Sequence, residues 1–104
     1  MTQWIDACAA DAIDKDDLIR FDHGERTFAL YRTEDDRYFA TDGLCTHEEA
    51  HLADGFVMDC VVECPLHQAR FDITTGKVLA EPADIDLRTY PVRVENGRVL
   101  LGLD

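Results

Sequence analysis

Two short segments constrain this chain more than anything else in it: Cys45-Thr46-His47 and Cys64-Pro65-Leu66-His67. Each offers one thiolate and one imidazole from a turn-like stretch, and sixteen residues separate His47 from Cys64. Brought side by side, two such loops form a four-ligand site of two Cys and two His. The fold must therefore present two turns to one point. Two metal groups suit that donor set. Zinc takes Cys₂His₂ tetrahedrally. A [2Fe–2S] centre of mixed ligation takes two Cys on one iron and two His on the other. The order of ligands separates the two. Zinc fingers commonly place a Cys pair first and a His pair later. Here each loop reads Cys then His, so each can give one ligand to each of two irons.

The rest of the chain reads as short strands between turns. Leu18-Ile19-Arg20-Phe21, Thr27–Tyr31 and Arg37–Ala40 are separated by Asp22-His23-Gly24-Glu25 and Thr33-Glu34-Asp35-Asp36. That spacing predicts an all-β sandwich or barrel. Near the C-terminus, Tyr90–Glu95 and Arg98–Gly102 flank Asn96-Gly97, which predicts a hairpin with positive φ at both turn residues. Pro91 has no N–H for a ladder, so its strand is expected to start there or lie at an edge. A second hairpin is expected around Thr74–Lys77, between Arg70–Ile73 and Val78-Leu79. Helix is scarce: residues 48–53 suit one short turn, and Ala9 to Asp17 reads as a short helix or a loop.

Composition narrows the function. The 104 residues suit one compact domain, taken as 1–104, and a metal centre would help to staple a core of that size. Acids outnumber bases 22 to 10, for a formal charge of −12. That balance argues against nucleic acid, which asks for clustered Lys and Arg, and against an anionic membrane surface. It also steers a chain toward basic protein partners. No basic, apolar leader opens the sequence and no apolar run reaches the roughly 18 residues of a membrane span. A soluble cytoplasmic protein is the expectation, in which cysteines serve metals or remain thiols.

At the ligand segments the sequence resembles the Rieske family. Cys45-Thr46-His47 and Cys64-Pro65-Leu66-His67, followed by Phe71-Asp72 and Thr75-Gly76, look most like the small Rieske-type ferredoxins of bacterial aromatic-ring oxygenase systems. The resemblance implies three antiparallel sheets with a cluster-binding subdomain of two ligand loops, here about residues 43–83. It implies one Rieske-type [2Fe–2S] cluster, with Cys45 and Cys64 on the buried iron and His47 and His67 on the outer iron. It implies a third loop over the cluster, for which Glu81-Pro82-Ala83 is placed. The role implied is a one-electron carrier, most simply a monomer. It passes electrons from an NAD(P)H-dependent flavoprotein reductase to a terminal Rieske oxygenase in aromatic compound degradation, and is not itself an enzyme. The alternative is a small Rieske subunit of a larger, nitrite-reductase-like complex. A self-contained oxygenase is rejected: it needs a mononuclear iron on a 2-His-1-carboxylate set, and only His23 and His51 are left to build it.

The departures from the family also matter. Respiratory Rieske proteins carry an extra, disulfide-bonded Cys in each loop, where this chain has Ala50 and Leu66. Gln68-Ala69-Arg70 follows His67 without a hydroxyl donor, so the potential is expected near the low end of the Rieske range, roughly −150 mV. Cys8 and Cys60 read as small buried hydrophobes, His51 as a surface or loop-packing residue, and His23 as solvated. Trp4, Phe21, Phe28, Phe39 and Tyr90 read as core or sheet-face aromatics. Glu48 and Glu49, directly after His47, are expected to rim the exposed edge of the site.

Overall fold

The computed structural model of the chain describes residues 1–46, 50–66, 68–81 and 85–104. Among them the chain forms β1 (Gln3–Ala9), β2 (Asp17–His23), β3 (Arg26–Arg32), β4 (Tyr38–Asp42), β5 (Phe56–Met58), β6 (Val61–Glu63), β7 (Arg70–Asp72), β8 (Val78–Ala80), β9 (Thr89–Tyr90), β10 (Val92–Glu95) and β11 (Arg98–Leu103). These make three antiparallel sheets, ordered β1-β11-β10, β2-β3-β4-β9 and β5-β6-β7-β8. The all-β expectation holds. Helix among the described residues is limited to the 3₁₀ turns Ala10–Ala12 and Leu52–Asp54. The second lies later than the turn expected at 48–53, and residues 48 and 49 fall outside the described set.

The strand β3 explains how the sheets stack. Its residues Phe28, Ala29, Leu30 and Tyr31 are all buried, although strand side chains alternate between faces. Phe28 and Leu30 pack with Ile13, Ala40, Leu101 and Leu103, joining this sheet to β11. Ala29 and Tyr31 point the other way, into a group with Val57, Val62, Phe71 and Leu87. The four-stranded sheet of β3 is therefore a middle layer, and an unbroken apolar run is what a strand covered on both faces requires. Tyr31 keeps a polar atom in this interior, and its hydroxyl lies 2.8 Å from the Thr41 hydroxyl. Burial pushes the Tyr31 phenol far above its ordinary value, with the Thr41 contact opposing in part.

The turns follow their chemistry. Asn96 and Gly97 have φ of 52° and 74°, as the hairpin signal predicted. The β5–β6 turn uses the same geometry without that signature: Asp59 and Cys60 have φ of 53° and 64°. There the Arg37 guanidinium donates to Cys60 Sγ at 3.6 Å, and the thiol is half-buried rather than sequestered. Cys8 is likewise half-buried, beside a register shift in β1. The Thr74–Lys77 hairpin is tied by Asp72, whose carboxylate accepts from the Thr74 amide at 2.8 Å and hydroxyl at 2.6 Å. Pro91 falls between β9, which pairs with β4, and β10, which pairs with β11, so one stretch of chain changes sheet at the residue that cannot donate. Among the aromatics, Phe28 is fully buried and Tyr90 meets it edge-on at 5.1 Å. Trp4 lies on a sheet face under the Arg93 guanidinium, 4.2 Å from the ring centre.

Two tests address this architecture. A Cβ at Gly55 would sit 2.0 Å from the Glu63 carbonyl, so Gly55→Ala should cost about 1–3 kcal/mol in urea unfolding, as overpacking does. Because the Tyr31 phenol is raised in the fold, its neutral form stabilises the protein fully below pH ~10 and progressively less above it. Tyr31→Phe should flatten that alkaline limb of stability, measured by unfolding at stepwise pH.

Candidate metal centre

The two cysteines of the ligand segments sit at the mouths of two similar loops. In the first, the Gly43 amide donates to the Thr27 carbonyl at 3.0 Å, Leu44 bridges His51, and the Leu52 amide returns to the Gly43 carbonyl at 2.8 Å. Inside that frame the Cys45 amide donates to the Ala50 carbonyl at 2.9 Å. In the second, Glu63 pairs with Arg70 at the end of β6–β7, and the Cys64 amide donates to the Ala69 carbonyl at 2.8 Å. Each loop is thus closed by a cysteine amide bonded to the carbonyl five residues on. The Glu63–Arg70 ion pair at 2.9 Å braces the second loop from the sheet face.

The thiols face inward. Cys45 is 5% exposed and Cys64 1%, and both belong to one buried group with Leu52, Val62, Ala69 and Phe71. Their flanking residues face outward: Leu44 and Leu66 are 46% and 44% exposed. A third segment closes on the first loop, where the Thr46 hydroxyl donates to the Ile85 carbonyl at 2.6 Å. That segment is anchored by Leu87, whose amide donates to the Gly76 carbonyl at 2.7 Å, and by Asp86, which accepts from the Val78 amide at 2.9 Å.

His47 and His67 lie outside the described residues, as do Glu48, Glu49, Pro82 and Ala83. What is described fits a mixed-ligand cluster. Two buried thiols, one from each of two equivalently closed loops, are the donor set that the sulfur-ligated iron of such a cluster takes. The apolar shell around them limits water at that end.

His23 is exposed, as expected. His51 is different: at 6% exposure it is a buried polar residue. Its Nδ1 accepts from the Ala53 amide at 3.0 Å, and its Nε2 lies 2.8 Å from the Thr27 hydroxyl. A surface or loop-packing place was expected from the sequence; the ring instead packs inside the fold. The missing signal was tertiary, since Thr27 is 24 positions away. Tyr90 donates to Asp42 at 2.5 Å and accepts from Arg26 at 2.7 Å, joining β3, β4 and β9 where the first loop departs.

Residues 3–91 match the model of the Rieske [2Fe-2S] domain. The ferredoxin component of the naphthalene 1,2-dioxygenase/salicylate 5-hydroxylase systems of a Ralstonia species is 48% identical, over 100% of both chains. The ferredoxin component of the 2,4-dinitrotoluene dioxygenase system of Burkholderia sp. (strain RASC) is 46% identical, over 97% of this chain and 96% of the relative. The solved ferredoxin of Sphingomonas yanoikuyae B1 superposes with a TM-score of 0.91 at 33% identity, covering 98% of this chain and 100% of that one.

A Cβ at Gly43 would meet His51 Nε2 at 2.4 Å and the Phe28 amide nitrogen at 3.0 Å. Gly43→Ala should therefore push the first loop off its frame. The expected loss is about 1–3 kcal/mol of stability, with faster amide exchange at Cys45 and Leu52 as the local readout.

Proposed function

We propose that this chain, which belongs to the Rieske [2Fe–2S] domain family, is a one-electron carrier that accepts an electron from a flavoprotein reductase and delivers it to a terminal oxygenase acting on an aromatic compound. The observation that carries the reading is the pair of buried thiols held by equivalently closed loops, in a chain whose full-length relatives are named ferredoxin components. The cluster, when bound, supplies reversible one-electron chemistry at a potential raised by histidine ligation. Cys45 and Cys64 would hold its inner iron, and His47 and His67 the outer one. The reductase is taken to be NAD(P)H-dependent, the carrier to be monomeric, and its place to be the cytoplasm.

What the chain itself contributes is placement and insulation. Burial keeps Cys45 and Cys64 away from solvent and from oxidants. Leu44 and Leu66 on the two loops are exposed, as is Ile85, whose carbonyl accepts from the Thr46 hydroxyl. A transient redox partner needs only a small contact area, and exposed aliphatic side chains of this kind suit one. The acidic chain brings a basic partner to that surface by long-range attraction, which salt weakens. Glu48 and Glu49, next in sequence to His47, would add their charge to that attraction.

Electron paramagnetic resonance of the dithionite-reduced protein tests the cluster directly. A rhombic signal whose mean g value lies below that of four-cysteine ferredoxins is expected, with two iron and two acid-labile sulfides per chain. A silent sample holding zinc and no sulfide would sink the reading. Cys45→Ser, Cys64→Ser and His67→Ala should each abolish that signal; a variant that kept it unchanged would remove its residue from the ligand set. Lysine at both Glu48 and Glu49 should slow reduction of a basic-faced oxygenase at low salt, with the difference fading at high ionic strength. Equal rates at every ionic strength would exclude those two residues from docking.

A further inference from the structure

We propose that His51 is a positioning residue: as the neutral Nε2–H tautomer it clamps the closing end of the first ligand loop onto the β2–β3 hairpin, and acid releases the clamp. The proposal rests on reading Cys45 as a cluster ligand, and it assigns a control element to that site.

Two hydrogen bonds settle the tautomer from opposite ends of the ring. The Ala53 amide can only donate, so His51 Nδ1, at 3.0 Å, must be the acceptor and carry no proton. On the other side the Thr27 hydroxyl lies 2.6 Å from an Asp22 oxygen, and an ionised carboxylate only accepts. Thr27 must then donate to Asp22, which leaves its oxygen lone pairs facing His51 Nε2 at 2.8 Å. Nε2 therefore carries the proton. The result is a directed chain: Ala53 amide to His51, His51 to Thr27, Thr27 to Asp22. It runs from the Leu52–Asp54 turn to the β2–β3 hairpin.

The anchor acts at the loop because of where His51 stands. Its backbone bridges Leu44, its preceding carbonyl at Ala50 accepts from the Cys45 amide, and its following amide at Leu52 donates to Gly43. Gly43 leaves no room for a Cβ against the ring, so the imidazole fills the space under the loop's departure point. Fixing the His51 ring thus fixes the carbonyl that closes the turn around Cys45.

A second proton has nowhere to go. Placed on Nδ1, it would face the Ala53 amide donor, and that bond would be lost. The charged groups that bear on the ring are Arg20 and Asp22 on β2 and Asp54 on the 3₁₀ turn; Thr27 on β3 is neutral. Burial and, after it, Arg20 hold His51 below the ordinary imidazole value, while Asp54 and Asp22 oppose them. The sign follows. A depressed imidazole contributes its full stability above the ordinary value of ~6.5, and loses it as the pH falls from there toward the folded-state value.

The test uses the loaded protein and follows loss of visible cluster absorbance against pH. His51→Asn keeps an oxygen that can accept from the Ala53 amide but does not reach Thr27 and cannot be protonated. It should bleach roughly tenfold faster at neutral pH, the factor that one broken buried hydrogen bond represents. It should also lose the acceleration that the wild type shows as the pH falls below ~6.5. Thr27→Val should bleach faster by a similar factor, and the double variant no faster than either alone, since both changes cut one chain. The exposed Asp22→Asn does not put folding at stake. It keeps an oxygen to accept from Thr27 but removes a charge that favours the imidazolium, and should move the acid limb to lower pH. Additive effects of His51→Asn and Thr27→Val, or a wild-type acid limb in His51→Asn, would overturn the clamp. Failure of the ligand reading would show separately, as a Cys45→Ser protein that keeps its cluster.

Discussion

Two cysteine thiols, Cys45 and Cys64, lie buried in one apolar group, and the turns that carry them organise much of this molecule. A buried thiolate is costly unless a metal takes up its charge. As the proposed ligands of a cluster, both sulfurs are held on backbone that is already satisfied. The chain holds them with two turns closed in the same way, each cysteine amide spent on the carbonyl five residues ahead. Neither turn is stapled to the other by a disulfide at positions 50 and 66, which are Ala and Leu. Geometry at the site is instead borrowed from the elements around it: Gly43 and His51 under the first loop, the Glu63–Arg70 pair beside the second, and Thr46 reaching to Ile85.

The sequence made some of this legible, and the reasons differ by residue. Asn96-Gly97 announced its hairpin because the information is local: two residues that tolerate positive φ, flanked by apolar alternation. The Cys-His segments stood out because chemistry restricts which side chains can hold iron; the structure describes their cysteines, while His47 and His67 lie outside the described residues. Asp59-Cys60 adopts the same backbone as Asn96-Gly97, yet carries no such signature; the strands it joins, β5 and β6, are three residues each, too short for a period to show. The strand β1 was hidden for another reason. Its partner β11 lies at the far end of the chain, Gln3 opposite Leu103, and a register shift between Asp6 and Cys8 breaks its alternation.

His51 shows the limit most clearly. From the sequence it is one more histidine near a metal motif, and its position four residues after His47 reads as surface or loop packing. Its role depends on Thr27 and Asp22, which the β2–β3 turn delivers from a distant part of the chain. Residue type was informative only once the neighbours were known, as holds for polar groups generally: their value in an interior is set by what completes their hydrogen bonds.

The chain leaves the middle sheet at Asp42 and rejoins it at Thr89, and the two ends of that excursion are paired, Thr41 opposite Thr89 and Ala40 opposite Tyr90. Everything between them is a closed detour whose ends meet whatever its length. The entropy of closing a detour grows only logarithmically with its size. Evolution can therefore lengthen, trim or exchange the segment between them as a cassette without renegotiating the junction. The limit on such exchange is the shared wall: Ala29 and Tyr31 of β3 are a surface that any incoming cassette must fit.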